Sequence, residues 1–487
     1  MRRVTRREFH KKIGLTAAWA ATANLLTCSK GFGQKVSTKR NRPNILFIMT
    51  DDHCLRALSC YSGRLNSTPH LDRLAREGMR FQHCLCTNAL CAPSRAVVLT
   101  GKYSHVNGVI NNSTPFNGSQ QTFPKLLRKD GYETAMIGKW HLKSEPTGFD
   151  YWNILPGQGV YYDPAFIEMG SRKKHSGYVT NLITDFCIDW LKQRSRDKPF
   201  CLLCHHKAPH GPWVPAPRHR NLFAKVNFPE PATFNDDFQT RSTAAREAKL
   251  AIQNDMNPRH YLQQEQPKNL TGQAAKQWRY QNYLRGYLGC IASVDDSVGR
   301  LLDYLDQAGL SENTLVVYTS DQGRFLGEHG WFDKRFMYEQ PLHMPLLIKY
   351  PKLIPAGSVR EEIILNLDFA PTFLDLAEID IPDDIQGESF KSILQGHRPK
   401  DWRTSMYYHY YEFPGTHSVK RHCGIRTERY KLIHFYNDID AWELYDLSED
   451  PDEVNNIYDN PAHAVIVKQL KAELDRLRKL YGDTARS

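Results

Sequence analysis

The sequence predicts an α/β protein with a doubly wound, mostly parallel sheet and a smaller antiparallel α+β part at its C-terminus. Continuous apolar runs, typical of strands buried on both faces, alternate with segments of helical periodicity along most of the chain. Several apolar runs end in polar clusters, and doubly wound sheets bind ligands beyond the carboxyl ends of their strands. Glycine, proline and charged residues gather at 395–400, which indicates a boundary before the C-terminal part.

The expected elements follow one another between residues 44 and 481. Uninterrupted apolar runs indicate strands, and apolar residues three or four apart indicate helices. Residues 215–276 are polar and irregular, which indicates a long surface excursion with helical pieces. We expect strands at 44–50, 133–138, 200–204, 314–319 and 344–350, and helices at 68–80, from 91, 122–130, 179–194, 278–307 and from 369 to 376. We expect the C-terminal part to hold strands at 404–412, 423–435 and 441–447 and a closing helix at 461–481.

The first residues indicate an export signal. Six basic residues precede an apolar stretch at 13–26, which is too short for a comfortable membrane span. Residues 5–11 (TRREFHK) resemble a bacterial twin-arginine signal, with an ordinary secretory signal as the alternative and a lipid anchor on Cys28 as a further option. We expect a periplasmic or extracellular protein, divided into a signal at 1–34, a linker at 35–42, a catalytic domain at 43–398 and a C-terminal subdomain at 399–487.

The net charge indicates the kind of partner, and the cysteines indicate whether disulfides can be assigned. The chain has 487 residues and a formal net charge of +11, of which residues 1–34 carry seven basic residues against one acidic, leaving +5. This mild basicity suits an anionic substrate, and we expect no nucleic-acid partner. The eleven cysteines show no legible disulfide pattern, and Cys201 and Cys204 lie in an apolar run typical of core.

Residues 91–101 (CAPSRAVVLTG) have the features of a helix start with a reactive position. Pro93 suits a first helical turn, and Cys91 then lies at the positive end of the helix dipole, where backbone N–H groups favour an anion. Arg95 is four residues further on, so its side chain shares a face with Cys91. A sulfur beside a guanidinium at an anion-binding helix end is a candidate reaction centre.

This stretch resembles the signature of the formylglycine-dependent (type I) sulfatases, Cys-x-Pro-Ser-Arg-x-x-x-Leu-Thr-Gly, at every fixed position. The resemblance implies an alkaline-phosphatase-like sheet and a sulfuric ester hydrolase in which Cys91 is oxidised to formylglycine by a sulfatase-maturing enzyme. In the family the aldehyde hydrates, one hydroxyl attacks sulfur, and the second expels the sulfate. An unmodified thiol would lack the second oxygen and could stall as a covalent ester.

Oxygen ligands at two predicted strand ends indicate a metal site. Asp51 and Asp52 follow the first strand, and Asp321 and Gln322 follow a late one. Hard oxygen ligands favour calcium or magnesium over zinc. The resemblance implies one Ca²⁺ ion held by these four residues and by modified Cys91, although the family often carries Asn or His where Gln322 stands.

Basic residues elsewhere match the positions that contact sulfate in the family. The resemblance implies that Lys139 and His141 (in GKWH) contact formylglycine, and that Lys139 and Lys334 contact sulfate. It also implies that His210 (in APH) contacts sulfate and protonates the leaving oxygen. This chemistry needs such residues, because cations such as Arg95 offset the charge of the ester and a sugar alkoxide needs a proton to leave.

The substrate is inferred from three stretches, at 325–330, 334–339 and 423–427, which look most like bacterial N-acetylglucosamine-6-sulfatase-like glycan sulfatases. A sulfated carbohydrate is therefore expected, with His141, His210, Arg324 and His409 as further candidate contacts. Two alternatives stay open. One is a formylglycine-type phosphodiesterase or phosphonate hydrolase, and the other is a non-catalytic protein that binds sulfated glycans on the same scaffold.

Overall fold

The computed structural model describes residues 42–61 and 65–484, so the expected export signal, the first residues of the linker and Cys28 lie outside the described residues. The strands are β1 (Asn44–Thr50), β2 (Met79–Phe81), β3 (Cys84–Leu85), β4 (Glu133–Lys139), β5 (Tyr151–Leu155), β6 (Ala165–Glu168), β7 (Ser171–Lys174), β8 (Phe200–His205), β9 (Thr314–Ser320), β10 (Phe325–Leu326), β11 (Phe332–Asp333), β12 (His343–Met344), β13 (Leu346–Lys349), β14 (Ser358–Arg360), β15 (Ile364–Leu365), β16 (Ser405–Tyr410), β17 (His422–Thr427), β18 (Tyr430–Phe435) and β19 (Ala441–Asp446). The helices are α1 (Pro69–Glu77), α2 (Cys91–Thr100), α3 (Ser104–Asn107), α4 (Phe123–Lys129), α5 (Val179–Gln193), α6 (Thr243–Glu247), α7 (Pro258–Tyr261), α8 (Gly272–Gln307), α9 (Glu339–Leu342), α10 (Phe369–Leu376), α11 (Lys391–Leu394) and α12 (Ala464–Tyr481).

A 10-stranded sheet forms the centre, in the order β14-β2-β13-β9-β1-β8-β4-β5-β6-β7. The five strands from β9 to β5 are parallel, and antiparallel pairs flank them on both sides. Alternate residues of β1 enter two separate apolar clusters, Phe47 on one face and Ile48 on the other. One cluster includes residues of α2 and α10 and the other includes residues of α5 and α8, so helices cover both faces as the sequence predicts.

The C-terminal part is a 4-stranded antiparallel sheet, β16-β17-β18-β19, with α12 packed against it. The expected single strand at 423–435 is wrong, because the chain turns at Glu428 and Arg429, where the Thr427 hydroxyl accepts the Arg429 and Tyr430 amides. Residues of β16, β17 and β18 belong to the same apolar cluster as residues of α2. The division of the chain at 398 stays a prediction.

The strands β5, β6 and β7 were not expected from the sequence. They extend the central sheet beyond β4, and β7 is its outer strand. The periodicity of β7 (SRKK) gives no strand signal, because all of its residues are exposed. Among the described residues, no helix combines the length and apolar character needed to cross a bilayer.

The sheet register places the expected site residues at one edge. Thr50 is paired with Ser320, and Gly138 is paired with His205, so the residues that follow β1, β9, β4 and β8 meet at the carboxyl end of the parallel strands. The turns of the chain after these four strands carry nearly all of the residues discussed below.

Gly138 allows β4 to run close beside β8 just before Lys139. Its φ is +106°, and an added Cβ would lie 1.9 Å from the His205 carbonyl oxygen. We expect Gly138→Ala to destabilise the fold by roughly 3 kcal/mol or more, since both backbone strain and a clash with rigid backbone contribute. Thermal unfolding checks this against Gly131→Ala, which has φ +93° but open space around its Cβ and therefore isolates the strain. Equal stability losses in the two variants would contradict the role of the close approach.

Candidate active site

Cys91 is the first residue of α2 and is completely buried. Its Sγ lies 3.3 Å from Asp51 Oδ1, 3.4 Å from Gln322 Nε2 and 3.5 Å from Lys334 Nζ. Burial raises the pKa of the Cys91 thiol to about 12, although the positive charge of Lys334 opposes the shift. An unmodified Cys91 is therefore a protonated thiol at neutral pH and a poor nucleophile.

Three buried carboxylates lie beside this sulfur. Oxygen atoms of Asp51, Asp52 and Asp321 all lie within 4.8 Å of one another. Gln322 adds an amide whose Oε1 is buried without a hydrogen-bond partner among the described residues, while its Nε2 donates to Asp52 Oδ1 at 2.5 Å. Clustered carboxylates and an unused amide oxygen are the donor set of a hard divalent cation, so these residues fit the metal site that the sequence predicts.

Four cationic side chains surround the carboxylates. Lys139 forms an ion pair with Asp51, and Lys334 Nζ donates to both oxygens of Asp52 at 2.5 and 2.7 Å. Arg95 donates to Asp321 Oδ2 at 3.0 Å through Nε and to the Lys139 carbonyl at 2.7 Å through Nη1. The fourth cation is Arg324. The site therefore carries more positive than negative side chains, which suits an anionic substrate.

The loop that carries Lys334 is held by the C-terminal sheet. Tyr408 of β16 donates its hydroxyl to the Arg335 carbonyl at 2.7 Å, and Glu412 accepts a bond of 2.6 Å from Arg335 Nη1. The residues on either side of Lys334 have left-handed backbone, with φ 77° at Asp333 and 92° at Arg335. Such conformations occur in positions that the surrounding structure strongly constrains.

Both expected histidines lie near the cationic side chains of this cluster. The Nδ1 of His210 donates to the Gly211 carbonyl at 2.7 Å, which leaves Nε2 pointing at the cluster, 3.9 Å from Asp52 Oδ2. His141 has φ 57° and a buried Nδ1 without a partner among the described residues. Burial first, and then the positive charge of Lys139, hold the pKa of both imidazoles below its usual value.

The other two expected substrate contacts differ in position. Arg324 is 1% exposed and bonds Asp52 Oδ2 at 2.5 Å and the Tyr283 hydroxyl at 2.9 Å, so it lies in the cluster beside Lys334, and its contact with substrate stays a prediction. His409 is 2% exposed, and its two ring nitrogens are bonded to Asp483 and Tyr436. The structure therefore gives His409 a packing role between the C-terminal sheet and the end of α12, because a side chain with both nitrogens engaged has none left for substrate.

Gln158 is a site residue that the sequence analysis missed. Its Oε1 accepts a bond of 2.5 Å from Lys139 Nζ, and its side chain is half-buried in the loop after β5. Gly157 and Gly159, with φ 57° and 65°, turn the chain on either side of it. The Gly-Gln-Gly run was the available signal, but only the pairing of β4 with β5 shows that it reaches Lys139.

A buried position at a helix start, hard-metal ligands and an excess of cations thus meet at the carboxyl edge of an α/β sheet. This arrangement defines a class, the metal-dependent hydrolases of anionic esters, because metal and cations together offset the charge that repels a nucleophile.

Comparison with known proteins narrows this class. The family model "Sulfatase" matches residues 43–379, and the model "N-sulphoglucosamine sulphohydrolase, C-terminal" matches residues 327–480. The N-acetylglucosamine-6-O-sulfatase of Bacteroides thetaiotaomicron is 50% identical over 95% of this chain and 90% of its own length. The human N-acetylglucosamine-6-sulfatase is 30% identical over 94% of this chain and 88% of its own. The chain belongs to the sulfatase family and is a sulfuric ester hydrolase.

Solved structures agree with the fold. A protein solved in complex with its substrate D-glucosamine-2-N,6-O-disulfate has a TM-score of 0.90 and 50% identity, covering 91% of this chain and 99% of that one. A phosphonate monoester hydrolase from Silicibacter pomeroyi has a TM-score of 0.73 at 23% identity over 90% of this chain and 95% of that one, a likeness of fold alone. The alkaline-phosphatase-like architecture is thereby confirmed. Sulfatases generally use formylglycine and a metal ion, and the residues described above fit both.

Proposed function

We propose that Cys91 is converted to formylglycine and that the enzyme hydrolyses the 6-O-sulfate of N-acetylglucosamine-type residues in a sulfated glycan. The observation that carries the proposal is the position of Cys91 Sγ, which contacts a carboxylate, an amide and an ammonium group of one cluster. The substrate follows from the N-acetylglucosamine-6-sulfatases and the glucosamine disulfate complex to which the chain is similar. Hydration of the formylglycine aldehyde would give two hydroxyls on one carbon: the first attacks sulfur as the sugar alcohol leaves, and the second drives elimination of sulfate and restores the aldehyde.

Ca²⁺ is the proposed metal, held by Asp51, Asp52, Asp321 and Gln322 together with the modified side chain of residue 91. Carboxylate and amide oxygens suit Ca²⁺, which accepts varied coordination geometries, whereas Mg²⁺ requires a near-ideal octahedron. The ion would polarise the sulfate and the nucleophilic oxygen as a Lewis acid.

The remaining side chains have distinct proposed roles. Lys139, Lys334 and Arg95 offset the negative charge of the ester. His141 orients the oxygen on residue 91. His210 protonates the leaving sugar oxygen, because its Nε2 faces the cluster while Gly211 fixes the ring through Nδ1. A bound anion beside this imidazole raises its pKa, which is the direction that proton donation requires.

Gln158 is proposed to position Lys139 against the sulfate. We expect Gln158→Leu to lower kcat/KM about tenfold, because Lys139 Nζ loses an oxygen that directs it. Gln158→Asn should keep part of the activity, and both variants should unfold at the wild-type temperature since the residue is half-buried in a loop. Steady-state kinetics and thermal unfolding check this. A wild-type kcat/KM in Gln158→Leu would show that Gln158 does not position Lys139 for catalysis.

The substrate is tested with enzyme made in a host that contains a sulfatase-maturing enzyme. Release of sulfate is compared for N-acetylglucosamine 6-sulfate, its 3-sulfate isomer, N-acetylgalactosamine 6-sulfate and glucosamine 2-N,6-O-disulfate. Preference for the glucosamine 6-sulfates supports the proposal. Faster turnover of a phosphate diester or a phosphonate ester would overturn it in favour of the phosphodiesterase alternative, and binding without turnover would favour a glycan-binding protein.

Export by the twin-arginine route is the proposed localisation, with a periplasmic or extracellular enzyme as the result. That route carries folded proteins, so the maturing enzyme could act before export. Replacing Arg6 and Arg7 by lysine should keep the protein in the cytoplasm, and unchanged export would remove this proposal.

A further inference from the structure

Strand β7, which forms one edge of the central sheet, is strongly basic. Arg172, Lys173 and Lys174 follow one another in β7, and all residues of this strand are exposed. Within residues 42–61 and 65–484, none of these three side chains forms an ion pair or a hydrogen bond. Asp163, the acid beside Lys174, instead accepts bonds from the Ser176 hydroxyl and the Gly177 amide. The strand therefore presents three cations that make no direct ion pair, with Asp163 as a carboxylate near Lys174.

The sheet register links this strand to the active site. Gly138, the residue before Lys139 in β4, is paired with Ile154 of β5. Ile154 is paired with Ile167 of β6, and Ile167 is paired with Arg172 of β7. Four neighbouring strands thus share one row. At a spacing of about 4.8 Å per strand, the Arg172 backbone lies about 14 Å from that of Gly138.

The first part of the connection between β5 and β6 carries no charge. The loop at 156–162 (PGQGVYY) contains no acidic or basic residue. It begins beside the active site, where Gln158 contacts Lys139, and it reaches the surface at Val160, whose side chain is 56% exposed. The first carboxylate after this loop is Asp163, which lies beside Lys174.

Basic residues on an outer strand also occur where a protein must avoid pairing between sheet edges. Two observations favour a ligand here. The charge lies at the site end of the strand, because β7 runs parallel to β5 and ends at Lys174. The proposed substrate is also a polyanion, whose anionic groups recur along the chain and would be attracted by three exposed cations, Arg172 and Lys174 on one face of the strand and Lys173 on the other.

We propose that Arg172, Lys173 and Lys174 bind a second anionic group, sulfate or carboxylate, which the same glycan carries a few sugar residues away from the ester being hydrolysed. This inference rests on the proposed function, because it assumes a sulfated glycan at the active site. It makes β7 an extension of the substrate site that acts on binding and not on chemistry.

The test is a triple variant, Arg172→Gln, Lys173→Gln and Lys174→Gln, in the formylglycine-containing enzyme with its metal. For a long, highly sulfated glucosamine-containing oligosaccharide, we expect KM to rise roughly tenfold at low salt with kcat unchanged. For the monosaccharide N-acetylglucosamine 6-sulfate, both constants should stay at wild-type values. Added salt should raise the wild-type KM for the oligosaccharide and bring it to that of the variant.

A matched control neutralises three exposed lysines that lie outside the central sheet, Lys400, Lys468 and Lys479, each changed to Gln. This variant should keep the wild-type KM for the oligosaccharide. Equal KM values for the β7 variant and the control would overturn the proposal, and so would equal losses on monosaccharide and oligosaccharide. Self-association of the β7 variant with an unchanged KM would overturn it in favour of edge protection.

Failure of the proposed function can be distinguished from failure of this inference. If the wild-type enzyme does not release sulfate from the glucosamine 6-sulfates, the proposed function is wrong. Binding of the same oligosaccharide, measured by titration calorimetry with wild-type and β7 variant, then still decides the role of β7. Tenfold weaker binding by the variant supports the anion site, and equal binding overturns it.

Discussion

Replacing Cys91 by alanine is expected to abolish sulfate release, with a loss of at least about 10³-fold in kcat. The reason is that the proposed nucleophile is made from this side chain and no other described residue offers an equivalent atom at the same point. The fold should survive, because Sγ makes only contacts of 3.3–3.5 Å and its removal leaves a small cavity, worth about 1 kcal/mol.

The matched control is Cys201→Ala, which removes an equally buried thiol from the interior of β8 and should keep wild-type kcat. Mass spectrometry of the tryptic peptide 81–95 provides the second readout, since wild-type enzyme should show an aldehyde in place of the thiol. Full activity in Cys91→Ala would refute the proposed mechanism, while an unmodified thiol in active wild-type enzyme would refute the modification.

Removing the metal is expected to have an effect of similar size. Treatment with a chelator should abolish turnover, because three carboxylates and their cations would no longer be organised around an ion. Added Ca²⁺ should restore activity more fully than Mg²⁺. It should also raise the free energy of unfolding by about 2.7 kcal/mol at a hundredfold excess over its Kd. Activity assays and thermal unfolding with and without each ion measure both effects.

Asp321→Ala tests the same site genetically and should lose both activity and the response to Ca²⁺. It should also destabilise the protein by about 3–5 kcal/mol, because Arg95 is buried and would keep its charge without a carboxylate partner. Asp296→Asn is the control, since this partly exposed carboxylate pairs with Arg218 and His219 away from the cluster. A normal Ca²⁺ response in Asp321→Ala would exclude Asp321 as a ligand.

The strands that build the site could be predicted from the sequence, whereas the strands at the edge of the sheet could not. Continuous apolar runs identified β1, β4, β8 and β9 to within a residue or two, because a strand buried on both faces has a composition that surface segments lack. Strands β6 and β7 were missed because an outer, exposed hairpin shows no such pattern. Strand β5 was missed although it is mostly buried, because its short run YWNIL is interrupted by an asparagine. The turn between β17 and β18 was missed because Glu428 and Arg429 carry no glycine or proline signal.

Some of the expected site residues could also be placed from the sequence, and others could not. The positions of Asp51, Asp52, Asp321 and Gln322 after strands were enough to predict one cluster, and the structure places them together. His409 was expected at the substrate and is instead engaged by Asp483 and Tyr436, whereas Arg324 lies in the cluster, where it bonds Asp52 and Tyr283. A sequence cannot show which polar partner a buried side chain satisfies.

The sequence by itself therefore determined the local chemistry: a helix that starts at Cys91 with Arg95 one turn further on, carboxylates at strand ends, and an α/β order. Only the tertiary structure decided which distant groups meet. Lys334 reaches Asp52 across 282 residues and Lys139 reaches Asp51 across 88, through a sheet order that the chain does not follow in sequence. The pairing of β4 with β5 likewise brings Gln158 to Lys139, and the register of β4, β5, β6 and β7 places Arg172 on the same row as Gly138. The physical reason is that periodicity and capping act over a few residues, whereas register and side-chain partners are set by the packing of the whole core.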